Sequence, residues 1–338
     1  RLVVPVKIEY RNEIKGLVHD TSASGSTVFI EPMGVVEANN EIRLLQSREQ
    51  AEIRRILQEL SAQVGGCAES IKGSYEAIVE LDLYFAKSRL ADEMHATIPN
   101  LNENGVVFLK KARHPLIEKE KVVPIELRLG DGFDTLVVTG PNTGGKTVAI
   151  KTLGLLVLMA QCGLMLPVAD GSSIPVFENV LVDIGDEQSI EQSLSTFSAH
   201  MTNIIRILQE ANEKSLVLLD ELGAGTDPVE GAALAVAVIE QLRAQRSRVV
   251  ATTHYAEIKM FALNTEGVEN ASCEFDVATL RPTYRLLTGV PGRSNAFAIS
   301  ERLGLPVEII ESARAHISKE NTQFEDVVSQ LEATRQEL

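Results

Sequence analysis

An octapeptide at residues 140–147, GPNTGGKT, fits the phosphate-binding pattern G-x-x-x-x-G-K-[ST] at every position. The strand-like run TLVVT precedes it and an apolar, helix-like run follows it, which is the context that this pattern requires. In such a loop the glycines let successive backbone N–H groups face a polyphosphate, and the next helix directs its positive end at the same group. The predicted nucleotide-binding residues are Gly140, Pro141, Asn142, Thr143, Gly144, Gly145, Lys146 and Thr147.

Two side chains of this loop carry specific chemistry. Lys146 supplies a mobile positive charge near the β- and γ-phosphates, and Thr147 offers a hydroxyl group to Mg²⁺. The sequence contains no Asn-Lys-x-Asp element of the kind that reads guanine, which disfavours GTPase chemistry. It also contains no obvious arginine-rich segment of the kind found in small-molecule kinases. We therefore expect ATP and Mg²⁺ as the cofactors.

A second motif, SLVLLDE at residues 215–221, places two carboxylates directly after an apolar run. Ligands bind at the carboxyl ends of the strands in open parallel sheets, so this acidic pair is predicted to reach the nucleotide. Asp220 is predicted to hold Mg²⁺, and Glu221 is predicted to activate the attacking water as a general base. The alternative interpretation is that the pair only caps the helix that follows.

Two further residues are predicted to act on the γ-phosphate. His254 ends the run VVATTH, in the strand after the acidic pair, where it can contact the phosphate or the attacking water. Ser195 lies just before a predicted helix, in a segment that either caps this helix or forms a second anion site at its N-terminus. One chain cannot easily bring Ser195 and its own phosphate-binding loop to one phosphate, whereas two chains arranged head to tail can. We therefore predict a homodimer with two composite ATP sites.

Hydrophobic periodicity divides the chain into regions with different predicted secondary structure. Residues 2–30 form short alternating runs, which predict three short strands. Residues 34–64 and 70–94 show three- and four-residue apolar steps, which predict two long helices. We interpret this pair as an antiparallel lever, with a plain helical hairpin as the alternative. From residue 105 onward strands alternate with helices, which indicates an α/β sheet with helices on its faces, and a late antiparallel strand pair is expected near residues 273–287.

Composition narrows the classes of function. The chain has 338 residues, with 32 Lys and Arg against 47 Asp and Glu, a formal net charge of −15. A protein that coats nucleic acid through its overall field is therefore unexpected. The three cysteines are too far apart in sequence for a zinc site or a disulfide framework, which favours a reducing cytoplasm. The apolar stretch at residues 153–169 is short and interrupted, so we interpret it as a buried helix and expect no membrane association.

The four motifs together resemble the ATPase of the MutS family, an ABC-type P-loop ATPase. The matching segments are GPNTGGKT, STF before a helix, LLDELGAGTDPVEGAALA and ATTHY, with RHP before the P-loop strand and GRSNAF near the end. The segment SASGSTVFIEP and the Ala224-containing loop after the acidic pair resemble the MutS-two subfamily, the bacterial paralogues of the mismatch-repair protein. The fold class that this resemblance implies is α/β, an ABC-type P-loop ATPase domain preceded by a small β segment and a long helical lever hairpin.

The resemblance also implies a domain order and a function. Residues 1–33 would be a short β segment on the clamp side, 34–100 the helical lever, 101–316 the ATPase domain and 317–338 the start of a coiled coil. The family implies a homodimeric, ATP-hydrolysing clamp or lever that acts on branched DNA to suppress recombination, on collided ribosomes to split them, or on both. Ser195 would reach the partner chain's γ-phosphate. We expect the chain to be a fragment without the C-terminal Smr domain, and hence without nuclease activity.

Two alternatives and one departure from the family pattern remain. The chain could instead be a scaffold that ATP locks as a dimer without hydrolysis, or an ATPase of the mismatch-repair type. Many family members stack the adenine on an aromatic residue of the segment before the P-loop, but here that segment is aliphatic. We therefore expect Val122 and Val123 to hold the adenine by apolar contact, with base selectivity left open.

Overall fold

The computed structural model describes residues 2–141, 144–185, 196–276, 279, 281–292 and 296–316. Asn142, Thr143, Ser195 and the expected coiled-coil tail therefore lie outside the described residues. The chain divides into two compact units, residues 1–84 and 85–338. Each unit is described by itself.

The first unit begins with a small antiparallel sheet. Its strands are β1 (Val4–Lys7), β2 (Gly16–Thr21) and β3 (Thr27–Pro32), in the order β1-β3-β2, with a single 3-10 turn (Ile8–Tyr10) after β1. Val6, Val28 and Ile30 form its core and Ile14 packs against them. The three short strands predicted from the alternating pattern are thus confirmed.

Two long helices follow, α1 (Met33–Gly66) and α2 (Ala68–Met94), separated only by Cys67. The existence and length of both helices confirm the prediction from their periodicity. No side chain of α1 is buried, and Ala91 is the only buried residue of α2. Their apolar residues, such as Ile53 and Leu57, are about half exposed, so the expected hairpin packing is not seen between them. An apolar stripe specifies a helix face, but it does not specify which surface covers that face.

The second unit contains ten strands and six helices among its described residues. The strands are β4 (Asn100–Asn102), β5 (Val107–Ala112), β6 (Ile125–Leu129), β7 (Thr135–Thr139), β8 (Ser173–Pro175), β9 (Asn179–Asp183), β10 (Ser215–Leu219), β11 (Arg248–Thr252), β12 (Val268–Asp276) and β13 (Arg281–Thr288). The helices are α3 (Lys146–Gln161), α4 (Thr196–Glu210), α5 (Pro228–Ala244), α6 (Ala256–Asn264), α7 (Ala296–Arg302) and α8 (Val307–Ala315).

The central sheet has the order β13-β12-β7-β11-β10-β9. Its five strands from β12 to β9 are parallel, and β13 pairs with β12 in the antiparallel sense, as expected for the late strand pair. A smaller sheet has the order β4-β8-β5-β6. The α/β class predicted from the alternation of strands and helices is therefore confirmed. Strands β4, β6 and β8 and helix α6 were not predicted; β4 and β8 have only three residues each, whereas the alternation in β6 was a signal that went unused.

Alternating side chains of the buried strands supply two cores, one on each face of the central sheet. Leu216 and Leu218 of β10 point into a cluster that also contains α3 and the smaller sheet. Val217 and Leu219 point into the opposite cluster, with residues of α4, α5 and α6. The helices on both faces leave the carboxyl ends of the parallel strands at one edge, where the predicted motifs lie. None of the helices in the described part of the chain is long and apolar enough to cross a bilayer.

Candidate nucleotide-binding site

The phosphate-binding loop joins β7 to α3. Every residue of β7 is buried, which fixes the point where the loop begins. Gly140 has φ 125° and Gly145 has φ 95°, backbone conformations that favour glycine. The Cβ of a side chain at Gly144 would lie 3.1 Å from the Cβ of Cys273, so β12 closes the loop from outside. The glycines are thus required both by the turn and by close packing.

Lys146 lies at the first position of α3 and is only 2% exposed. Its Nζ donates to the carbonyl oxygen of Gly140 at 2.8 Å and to Nε2 of His254 at 3.1 Å. Burial lowers the pKa of Lys146, whereas Cys273, Glu221 and Asp220 act in the opposite direction. Thr147, the other predicted ligand of this helix turn, is half-buried. The ammonium group therefore lies inside the loop that it is predicted to serve.

The acidic pair lies where the motif predicts, at the carboxyl end of the wholly buried strand β10. Asp220 is 6% exposed, and its N–H donates to the carbonyl oxygen of Asp183 at 2.8 Å. The alternative interpretation of the pair as a helix cap is wrong, because α5 begins at Pro228. Its cap is Asp227, which accepts hydrogen bonds from Val229 and Glu230. The pair is therefore available for other chemistry.

Thr252, at the end of β11, connects the two carboxylate residues. Its Oγ1 donates to Oδ1 of Asp220 and accepts a hydrogen bond from the N–H of Glu221 at 2.8 Å. Glu221 itself has φ 50°, a conformation that is uncommon for residues other than glycine. Sequence reasoning did not single out Thr252 as a site residue. The feature that identifies Thr252 is the pairing register of β10 with β11. Leu219 pairs with Ala251, so the residues that follow them, Asp220 and Thr252, are neighbours.

His254 lies between the lysine and the glutamate. Its Nε2 is 3.1 Å from Nζ of Lys146 and 3.9 Å from Oε1 of Glu221. Burial lowers the pKa of His254 to about 4, and the positive charges of Lys146 and Lys259 act in the same direction. The ring is therefore neutral near pH 7, and Nε2 can accept a hydrogen bond from Lys146. The structure thus brings Lys146, His254 and Glu221 together.

Helix α4, which follows Ser195, is attached to the same sheet edge. Nδ1 of His200 lies 2.8 Å from Oδ2 of Asp183, and Nδ2 of Asn203 donates to Oδ1 of Asp183 at 2.8 Å. Asp183 is the last residue of β9, beside the strand that carries the acidic pair. The first half of α4 is thus attached to the end of the strand beside β10, and Ser195 itself precedes the described part of this helix.

A cavity of about 300 Å³ adjoins the phosphate-binding loop and is mostly apolar. Val122 and Val123, the predicted base contacts, both line it, together with Gly145 and Val148. Tyr284 of β13 also lines it, so the cavity has an aromatic side chain in addition to the expected aliphatic ones. The ring atom Cδ1 of Tyr284 lies 3.0 Å from the position of a Cβ on Gly145, and Tyr284 has φ 59°. The sequence placed Tyr284 in a strand but gave no sign that this strand passes beside the P-loop.

Comparison with known proteins places the chain in a described family. The family model described as MutS domain V matches residues 136–321, which is more than half of the chain. A protein named Endonuclease MutS2 from Caldanaerobacter subterraneus subsp. tengcongensis is 60% identical over 335 residues, 99% of this chain and 42% of that protein. Proteins of the same name from Lachnospira eligens and Clostridium acetobutylicum are each 58% identical, over 99% and 98% of this chain and 43% and 42% of their own lengths.

The chain therefore spans about two fifths of the length of these curated relatives. The family model covers the phosphate-binding loop, the acidic pair and His254 within a single match. The chain belongs to the MutS family, and the part that identifies it is that family's ATPase domain, domain V.

Proposed function

We propose that the chain binds ATP with Mg²⁺ and hydrolyses it, and that two copies close around the nucleotide. The observation that carries the proposal is the convergence of a buried lysine, a neutral histidine and a glutamate within 3.1–3.9 Å at one sheet edge. Hydrolysis of a phosphoanhydride needs a cation at the phosphates, a base for the water and a group that contacts the γ-phosphate. Lys146, Glu221 and His254 supply these three.

The residues present fit Mg²⁺. Thr147 and Asp220 offer a hydroxyl oxygen and a carboxylate oxygen, the ligand types that Mg²⁺ prefers alongside phosphate oxygens. Thr252 donates to Oδ1 of Asp220 and thereby orients the carboxylate, so that Oδ2 is the oxygen that we assign to the metal. When bound, the ion would neutralise charge on the β- and γ-phosphates.

We assign the proton transfer to Glu221. Its carboxylate takes a proton from water as the water oxygen bonds to the γ-phosphorus, while the bond to the β,γ-bridging oxygen breaks and ADP leaves. The N–H of Glu221 is held by Thr252, which limits the positions that the carboxylate can reach. His254, neutral near pH 7, donates its remaining N–H to the γ-phosphate or the water. The N–H groups of the P-loop and Lys146 bind the phosphates that remain.

The nucleotide base is proposed to occupy the cavity beside the loop. Val122 and Val123 contribute apolar contact and Tyr284 contributes an aromatic face. Stacking on an aromatic ring accepts any base, so these residues account for affinity rather than for a choice between adenine and guanine. ATP is proposed because the sequence carries no guanine-reading element.

We further propose that Ser195 completes the partner chain's site, with the N-terminus of α4 as the anion-binding element. Residues 34–100 would act as the lever, 1–33 as the clamp-side segment, 101–316 as the ATPase and 317–338 as the start of a coiled coil. Branched DNA, collided ribosomes or both are the proposed targets, on the resemblance to the MutS-two subfamily alone. We assign the endonuclease activity in the relatives' name to the parts of those proteins that this chain does not span.

Nucleotide titration by calorimetry tests the proposal. Lys146→Ala should abolish tight ATP binding, because the glycine loop cannot replace the charge nearest the β- and γ-phosphates. Lys214→Ala, which removes an exposed lysine paired with Glu178, is the matched control and should bind as the wild type does. Unchanged affinity in Lys146→Ala contradicts the assignment of the loop. A pull-down with Glu221→Gln and ATP, scored for nucleic acid and for ribosomal subunits, then decides between the two targets.

A further inference from the structure

Lys259 is a buried lysine that the chemistry proposed above does not use. It lies on α6, and only 6% of its surface is exposed. Lysine is almost never buried this deeply unless its ammonium group is paired. The contacts of this group therefore indicate what the residue does.

A series of hydrogen bonds leads from Lys259 to the phosphate-binding loop. Nζ of Lys259 donates to the carbonyl oxygen of Gly292 at 2.8 Å. The N–H of Gly292 donates to Oγ1 of Thr139 at 2.7 Å, and this hydroxyl donates to the carbonyl oxygen of Ala271 at 3.0 Å. Thr139 is the last residue of β7, directly before the loop. Lys259 thus holds both α6 and the backbone at Gly292 to the start of the loop.

Gly292 is also in close packing with the first residue of the loop. A Cβ at position 292 would lie 3.0 Å from the backbone nitrogen of Gly140 and 3.2 Å from its Cα, closer than side chains normally approach backbone. The carbonyl oxygen of Gly140 accepts the hydrogen bond from Lys146. Gly140 is therefore in contact with Gly292 on one side and with the ammonium group of Lys146 on another, so that a displacement of Gly292 must displace the loop.

The charge of Lys259 acts on the same site. Burial is the main reason why the pKa values of Lys146 and His254 are lowered, and the positive charge of Lys259 contributes to both shifts. An ammonium group close enough to do this also raises the positive potential that a polyphosphate experiences. Geometry and charge thus act in the same direction on nucleotide affinity.

We propose that Lys259 is a positioning residue for nucleotide binding, which acts by holding the backbone of Gly292 against Gly140 so that the loop keeps its phosphate-binding shape. The inference rests on the proposed function of the same site. It predicts an effect on the binding of ATP and ADP alike. It predicts a smaller effect on the hydrolysis step at saturating ATP, since the hydrogen bond of Lys259 goes to the backbone of Gly292 and its charge affects His254 less than burial does.

The test compares four single variants of the full chain and one double variant. The single variants are Lys259→Met, Lys259→Arg, Gly292→Ala and the control Lys214→Met. Calorimetry measures the affinity for ATP and ADP, steady-state assays measure kcat and KM, and thermal unfolding without nucleotide measures stability. Methionine is an unbranched apolar side chain only one atom shorter than lysine and suits a buried site, so Lys259→Met should fold. It should bind both nucleotides about tenfold more weakly, the scale of one hydrogen bond to a charged group, with kcat retained within about twofold.

The other variants separate positioning from general stability. Lys259→Arg, which keeps the charge and the donors, should recover most of the affinity, and Lys214→Met should equal the wild type. Gly292→Ala should also weaken nucleotide binding, because its added Cβ would press on the backbone of Gly140 while Lys259 is unchanged. The double variant Lys259→Met with Gly292→Ala should be no weaker than the worse single variant, because both changes act through one contact.

Three results overturn the inference. The first is wild-type affinity in Lys259→Met, whether or not its melting temperature falls, because that result would mean that Lys259 has a purely structural role. The second is a loss confined to kcat. The third is additive losses in the double variant. If the wild-type chain itself binds neither nucleotide, the proposed function fails and this inference fails with it, so the two failures are distinguishable.

Discussion

At the scale of single residues, Glu221 is held in position by its backbone. It has φ 50°, and its N–H donates to the hydroxyl group of Thr252, which in turn donates to Asp220. Uncommon backbone conformations persist where the surrounding structure determines them, and they cluster at functional sites. Thr252 thus ties the proposed base and the proposed metal ligand into one unit.

Replacement of this base should separate binding from hydrolysis. Glu221→Gln keeps the length of the side chain but cannot accept the proton, so we expect ATP to bind and to be hydrolysed about 10²–10⁴ times more slowly. A phosphate-release assay and a nucleotide titration measure the two effects. Glu230→Gln, an exposed residue in the first turn of α5, is the matched control. Hydrolysis by Glu221→Gln at the wild-type rate means that the base lies elsewhere.

Tyr284 offers a spectroscopic measurement of base binding. The chain has five tyrosines and no tryptophan, so tyrosine emission can be followed directly. If the base stacks on Tyr284, ATP should change this emission in the wild type and leave it nearly constant in Tyr284→Phe, which keeps the aromatic face and hence the affinity. Tyr284→Ala should bind about tenfold more weakly, because base stacking contributes ~1–3 kcal/mol.

Tyr75→Phe provides the control, because Tyr75 lies on α2 in the other unit. It should keep the emission change that ATP produces. The stacking hypothesis is wrong if Tyr284→Phe responds to ATP as strongly as the wild type, or if Tyr284→Ala retains full affinity.

At the scale of elements, α3 lies so close to the central sheet that it requires a glycine. Gly154 is buried, and a Cβ there would lie 2.7 Å from Cδ1 of Leu218, whose side chain is itself buried in β10. Gly73, in the second turn of α2, is exposed and has no heavy atom within 4 Å of an added Cβ. Both glycines are helical, but they differ in what surrounds them.

Alanine should therefore have opposite effects at these two positions. Gly73→Ala should stabilise its helix by about 0.5–1 kcal/mol, because glycine loses more conformational freedom on folding than alanine does. Gly154→Ala should destabilise the fold by about 1–3 kcal/mol, the usual effect of an extra methyl group in a filled core. Thermal unfolding followed by far-ultraviolet circular dichroism measures both. A raised melting temperature in Gly154→Ala would show that α3 can move away from β10.

At the scale of the whole molecule, the proposed trans site makes a prediction about mixtures. Ser195→Tyr and Lys146→Ala should each lose most of the ATPase activity. After subunit exchange, a heterodimer has one site with both changes and one intact site if Ser195 acts on the partner's nucleotide. The mixture should then regain part of the activity, as measured in a steady-state assay. If Ser195 acts within its own chain, every site keeps one change and the mixture stays inactive.

Crosslinking gives an answer that holds even if both sites must act together. Ser195→Cys is combined with serine at the exposed Cys67 and Cys162, and a thiol-reactive ATP analogue is added. Burial raises the pKa of the remaining thiol, Cys273, to about 11, so it should react slowly. In the mixed dimers, one chain carries both Ser195→Cys and Lys146→Ala. Under a trans arrangement, the analogue should label this chain only when the partner chain keeps its own Lys146. Labelling that does not depend on the partner contradicts the trans arrangement.

The sequence by itself determined the features that depend on local pattern. The spacing in GPNTGGKT, the four apolar residues before Asp220 and the alternation of strands and helices each follow from neighbours in the chain, so the loop, the acidic pair and the α/β class could be predicted. The two long helices were predictable for the same reason, since a repeat of three to four residues is a local property.

Only the tertiary structure decided which distant residues meet at the site. Thr252 lies 32 residues from Asp220 in sequence, Lys259 lies 33 residues from Gly292 and Tyr284 lies 139 residues from Gly145, and the strand order brings the members of each pair together. That the apolar faces of α1 and α2 are exposed was likewise evident only from the tertiary structure. Periodicity determines which side chains share a face, because it follows from the geometry of one helix or strand. What covers that face depends on which surfaces the rest of the fold brings to it.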